Sequence, residues 1–173
     1  MTRYDPRLGE EIERNRKAVK ELKLYILKQR WTHYITLNFN WRHGRVSDAL
    51  AERRFWEFME ALDIFLFGNK KYRYSRTRAM GLQENVSTNR HIHVLAQVEL
   101  PKWAKMRAQT IQNIWSSVVA SGTTDLAMVK DVGAADYCTK QLWMPGNYDR
   151  VLYSEWSEEP EALPWLPKKT LFD

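Results

Sequence analysis

The sequence predicts an α+β protein: a central antiparallel sheet with helices mainly on one face. Three observations carry this expectation. Helical and strand periodicities follow one another along the chain as helix, strand, helix, strand-turn-strand, helix, strand, helix. Two of the strand segments are separated by little more than Ser87-Thr88-Asn89, which marks a hairpin and therefore antiparallel pairing. The helical segments carry their apolar residues in single stripes, each suited to packing on a sheet. Helices gathered on one face would leave the other open as a site.

The elements are justified in order. From residue 7 to 28, Leu8, Ile12, Val19, Leu22 and Ile26 recur at helical spacing after the start signal Asp5-Pro6. Residues 31 to 40 alternate and are rich in β-formers, which reads as a strand. A loop at Arg42-His43-Gly44-Arg45 leads to Ser47, an N-cap for a helix through Phe67 with Ala51, Phe55, Phe58, Leu62 and Phe65 as its stripe. Gly68-Asn69 ends it. Residues 79 to 86 and 91 to 98 form the expected hairpin. Pro101 opens a helix through Val119 with Trp103, Met106, Ile111 and Trp115 on one side. Residues 124 to 129 read as a short strand and 134 to 143 as a short helix. Residues 1–30 are thus a helical extension, 31–144 the body, and 145–173 a Pro- and Trp-rich acidic tail of the same domain, with little regular structure.

Composition sets limits. A chain of 173 residues with 44% hydrophobic and 28% charged residues can bury one sizeable core and is not disordered. No apolar run approaches a membrane span and no secretory signal is visible, so the expected setting is the cytoplasm. The one cysteine, Cys138, excludes an internal disulfide. Lys and Arg number 27 against 21 Asp and Glu, and acids crowd the last twenty residues, so the body is more basic than the net +6 suggests. Eight Trp, eight Tyr and six Phe accompany those cations. Cations interleaved with aromatics suit single-stranded nucleic acid. The densest such stretch holds Lys70, Lys71, Arg73, Arg76 and Arg78 around Tyr72 and Tyr74, with Arg42 and Arg45 as a second basic site.

Chemistry centres on the strand with His91-Ile92-His93. Side chains two apart on a strand share a face, so the imidazoles stand side by side as half of a metal site. Glu84 lies on the strand expected to pair with it and can add a carboxylate. Two histidines and a carboxylate with open positions suit Mn²⁺ or Mg²⁺ facing a phosphate, whereas a closed zinc site prefers thiolates, and this chain has one cysteine. On the last helix, Tyr137, Lys140 and Gln141 are spaced to share a face. A phenol is a poor nucleophile unless a cation lies near its oxygen, which a metal and Lys140 could each supply.

These motifs together resemble the HUH endonuclease superfamily in its single-tyrosine replication-initiator (Rep) branch. The resemblance rests on the strand Tyr34-Ile35-Thr36-Leu37-Asn38, the pair His91-Ile92-His93 and the helix motif Tyr137-Cys138-Thr139-Lys140, and covers residues 31 to 141. It implies a ferredoxin- or RRM-like sheet bearing the metal, and nicking and rejoining of single-stranded DNA by Tyr137 through a 5′-phosphotyrosine to start rolling-circle replication. It also implies an origin hairpin as partner and a prokaryotic, plasmid, phage or viral replicon, nuclear if the host is eukaryotic. No Gly-x-x-x-x-Gly-Lys-[Ser/Thr] loop occurs, so helicase and polymerase would be separate proteins. Gln141 resembles a metal ligand of related single-strand transposases, so the third ligand is either Glu84 or Gln141. Transposition and non-catalytic nucleic-acid binding are the alternative roles.

Overall fold

A computed structural model describes residues 6–40, 46–68, 77–84, 89–98, 106–130, 133–144 and 150–154. The elements are α1 (Pro6–Lys28), β1 (His33–Asn38), α2 (Asp48–Phe67), β2 (Arg78–Glu84), β3 (His91–Gln97), α3 (Ala108–Val118), β4 (Thr123–Met128), α4 (Gly133–Thr139) and β5 (Val151–Tyr153). The strands form one sheet in the order β4-β1-β3-β2-β5, with every neighbouring pair antiparallel. From β1 to β4 the chain runs β-α-β-β-α-β, a ferredoxin-like arrangement. The fold class is the one expected from the sequence.

Alternation along the strands assigns each side chain to a face. Ile35, Leu37, Ala79, Ile92, Val94 and Ala96 belong to the core that α2 and α3 cover with Phe55, Phe58, Leu62, Ile111 and Trp115. Gly81 stands at the centre of this face because a Cβ there would lie 2.9 Å from Phe55 Cε2; its absence lets α2 approach the sheet. On the other face, Met80, Leu82 and Leu95 pack with Val19, Leu22 and Ile26 of α1 and Ala135 and Cys138 of α4. The two crossover helices share one face as expected, but the second face is not left open. Its β2 side lies under α1 and α4, while Thr123, Asp125 and Ala127 of β4 remain exposed.

Four local expectations change. The α2 stripe lands on Leu66 rather than Phe65, which is 48% exposed, because 3.6-residue steps from Leu62 turn position 66 toward the core. Leu8 is likewise exposed at the start of α1. α3 begins at Ala108, where Arg107 at the N-cap is still extended; Trp103 lies outside the described residues. The segment expected to be an irregular tail contributes β5, whose Val151 and Tyr153 pair with Leu82 and Met80. Three residues are too few to show a period, so this strand owes its existence to the β2 edge. No helix among the described residues is long and apolar enough to cross a membrane.

Candidate metal centre

The hairpin builds the site. In the β2–β3 register Glu84 stands directly opposite His91, and His93 follows two residues on, on the same face. Their functional atoms converge: Glu84 Oε2 lies 2.8 Å from His91 Nε2 and 2.7 Å from His93 Nε2, and the two nitrogens are 3.1 Å apart. Glu84 and His93 are buried and His91 is half-buried. These three side chains could hold a metal ion. Cis ligands on an octahedral ion with bonds of about 2.1 Å stand about 3 Å apart, close to the spacing of these atoms.

The surroundings orient the ligands. Asn89 offers a carbonyl oxygen 3.1 Å from His91 Nδ1, and a carbonyl can only accept. That contact keeps a proton on Nδ1 and turns Nε2 toward Glu84. His93 Nδ1 is in close hydrogen-bond contact with the Tyr34 hydroxyl, and the two rings stack with centroids 5.5 Å apart. Burial pulls the His93 pKa down to about 4, partly offset by its hydrogen bond to Glu84, so the ring is neutral at pH 7. Burial works to raise the Glu84 pKa, but hydrogen bonds from His93, His91 and Lys140 outweigh it and hold the carboxyl below its ordinary value. With Nδ1 of His91 held by the Asn89 carbonyl and Nδ1 of His93 by the Tyr34 hydroxyl, both Nε2 atoms face the carboxylate oxygen. Two imidazole nitrogens and a carboxylate oxygen so converged are a donor set that suits a metal ion.

The last helix adds the remaining groups. Tyr137 on α4 is half exposed, and its ring centre is 5.1 Å from that of His93 and 6.1 Å from that of Tyr34. Lys140, one residue past the end of α4, places Nζ 3.8 Å from the centre of the Tyr137 ring and 3.1 Å from Glu84 Oε1. Glu84 thus turns one oxygen to the histidines and the other to Lys140. Burial works to lower the Lys140 pKa, but the hydrogen bond and charge of Glu84, then those of Tyr137, raise it, so the ammonium persists. Cys138 points into the core, where burial pushes its thiol up to about 12; it is inert packing.

Of the residues expected at the site, the structure brings together Glu84, His91, His93, Tyr137 and Lys140. Gln141 lies in the turn after α4, beside Lys140 in sequence. Arg78 shares the Glu84 face but opens β2 at the far end, about 20 Å away at 3.3 Å per residue. Lys70, Lys71, Arg73, Arg76, Arg42 and Arg45 lie outside the described residues. Two contributors were not expected. Tyr34 touches His93, and the signal for it was β1's alternation, which sets polar 34, 36 and 38 opposite buried 35 and 37. Arg90, buried in the approach to β3, binds Gln83 and Asp48 and so ties the hairpin end next to His91 to the start of α2. Its partner Asp48 is 42 residues away, beyond the reach of any local pattern. Comparison of the chain with protein-family models, curated proteins and solved structures finds no match.

Proposed function

We propose that this protein is a metal-dependent nickase and ligase of single-stranded DNA of the HUH type, working through a covalent 5′-phosphotyrosine on Tyr137. The observation that carries the reading is a convergence. The β2–β3 hairpin and the α4 segment, far apart in sequence, bring a two-histidine, one-carboxylate cluster, a half-exposed tyrosine and an ammonium to one end of a ferredoxin-like sheet.

Glu84, His91 and His93 would hold Mn²⁺ or Mg²⁺, which when bound polarises a phosphodiester oxygen and offsets charge building on the phosphorus. Tyr137 supplies the attacking oxygen. Its O–P bond forms as the P–O3′ bond breaks, and the phenolic proton is balanced by the one the 3′ oxygen takes up as it leaves as a hydroxyl. Lys140, held by Glu84 against the ring, stabilises the phenolate before attack and the phosphate charge during it. Attack of a 3′ hydroxyl on the phosphotyrosine reverses every bond change and rejoins the strand. Tyr34 and the Asn89 carbonyl keep both imidazoles turned toward Glu84.

The role that follows is initiation of rolling-circle replication, with the released 3′ hydroxyl as primer and helicase and polymerase supplied by other proteins. The test is incubation with random-sequence single-stranded DNA and Mn²⁺, followed by intact-mass measurement. A mass increase equal to an oligonucleotide fragment, mapped to Tyr137 and abolished by EDTA, is the expected result. Unmodified protein under those conditions, with the metal demonstrably bound, would overturn the proposal.

A further inference from the structure

A groove runs beside the metal centre between the end of β4 and the start of α4. Its wider part, about 640 Å³, is lined by Tyr34, Met128, Val129, Lys130 and Tyr137 among others. A narrower part of about 250 Å³ continues toward the end of α1, where Trp31 joins; Val129, Lys130 and Ala134 line both parts, so the two are continuous. Lys130 is the one charged residue among the described residues lining either part. At the entrance Met128 is 67% exposed, a large apolar side chain left in water.

Tyr34 and Tyr137 belong to the groove and to the metal centre at once. Whatever polymer presents a bond to Tyr137 therefore has its next residue at the mouth of this groove. The lining selects what that residue can be. Among the described residues a phosphate or sugar alone would find a single cation and few hydrogen-bonding groups. A flat heterocycle finds aromatic rings and apolar walls, with Lys130 placed to meet the backbone charge it carries.

We propose that this groove is the base-binding subsite for the nucleotide adjoining the phosphodiester that Tyr137 attacks, and that it confers the enzyme's base preference there. The inference rests on the reading of Tyr137 as the nucleophile of a nucleic-acid nickase. It adds a place where the base is held, with Tyr34 and Met128 as the contact surface and Lys130 as the phosphate partner.

The test uses the full chain with Mn²⁺ and a single-stranded oligonucleotide carrying one photoreactive 4-thiothymidine, moved through successive positions. One position should cross-link to the peptide spanning Met128 to Lys130 or to Tyr34. An abasic residue at that position should weaken binding roughly tenfold, the loss expected for one stacked base. Met128→Gln, an uncharged change on an exposed edge, should weaken binding of the intact oligonucleotide but add no further loss on the abasic one. Cross-links elsewhere, or two losses that simply multiply, would overturn the subsite. The failure modes separate. If the adduct forms at Tyr137 while cross-links map elsewhere, nicking stands and the groove does not. If cross-links and the non-multiplying losses appear without an adduct, the groove binds nucleic acid and the nickase reading falls. If no oligonucleotide binds, both fall.

Discussion

Glu84→Gln isolates the metal centre with the least change of shape. The carboxylate supplies the only formal negative charge in the ligand set, since imidazoles bind metals as neutral ligands. Its removal also leaves the Lys140 ammonium, now 3.1 Å from Glu84 Oε1, as an uncompensated cation beside the ion. Loss of a group that merely supports a metal ligand costs about 10- to 100-fold in affinity, so loss of this ligand should reach at least the upper end. Binding to the folded state stabilises it by RT ln(1 + [L]/Kd), which is about 2.7 kcal/mol at a hundred times Kd. At the same Mn²⁺ concentration a hundredfold weaker site gains only about 0.4 kcal/mol. For a chain of this size 1 kcal/mol moves Tm by about 2–4 °C, so wild type should rise by about 5–10 °C and the variant by about 1–2 °C. The assay is thermal unfolding with and without Mn²⁺, each protein compared with its own EDTA-treated form so that changes in basal stability cancel. A full Mn²⁺ shift in Glu84→Gln would refute the assignment of Glu84 as a ligand and move attention to Gln141. No shift in wild type would refute the centre itself.

The other outcomes are as direct. Tyr137→Phe should abolish the covalent adduct while leaving single-stranded DNA affinity within about twofold, because a half-exposed hydroxyl is all that is lost; adduct formation at wild-type yield would reassign the nucleophile. Tyr34→Phe should weaken Mn²⁺ binding by about tenfold by freeing His93 Nδ1, read by isothermal titration; unchanged affinity would make the Tyr34 contact incidental. Gly122→Ala should cost about 2–3 kcal/mol in denaturant unfolding, since a Cβ there would stand 2.2 Å from Nε1 of the fully buried Trp115, itself bonded to the Asn38 carbonyl; a loss below about 0.5 kcal/mol would show that the turn yields freely. Burial works to raise the Asp48 pKa, but Arg90 and Arg150 outweigh it and hold it below the ordinary value. A depressed folded-state pKa means stability present above the unfolded pKa and lost as pH falls through the folded one. The stability gap between wild type and Asp48→Asn should therefore shrink from about pH 5 to about pH 3, and a constant gap would contradict it.

The sequence made the site legible where a short-range rule fixed the geometry. Period-two alternation put His91 and His93 on one face, and the hairpin turn put Glu84 across from them; the register Glu84–His91 is what those two rules require. Helical spacing from Tyr137 brought Lys140 to the same ring even though α4 ends one residue before it. What stayed hidden depends on approach between distant segments. Nothing local to 151–153 announces a strand, because its partner edge lies about seventy residues earlier. Nothing near Tyr34 states that His93 will lie one strand over and two residues along, although the motif strand was singled out. The covering of the second face by α1 was also invisible: an amphipathic helix declares which of its sides is buried, not which surface buries it. That covering has a chemical consequence. Among the described residues α1 and α4 close the β2 side of the metal face, so the proposed nucleic-acid strand would approach Tyr137 from the β4 side, over Thr36, Thr123 and Asp125. Asp125 repels phosphate there, which would steer the backbone toward the Lys130 end of that edge and the base toward Tyr34.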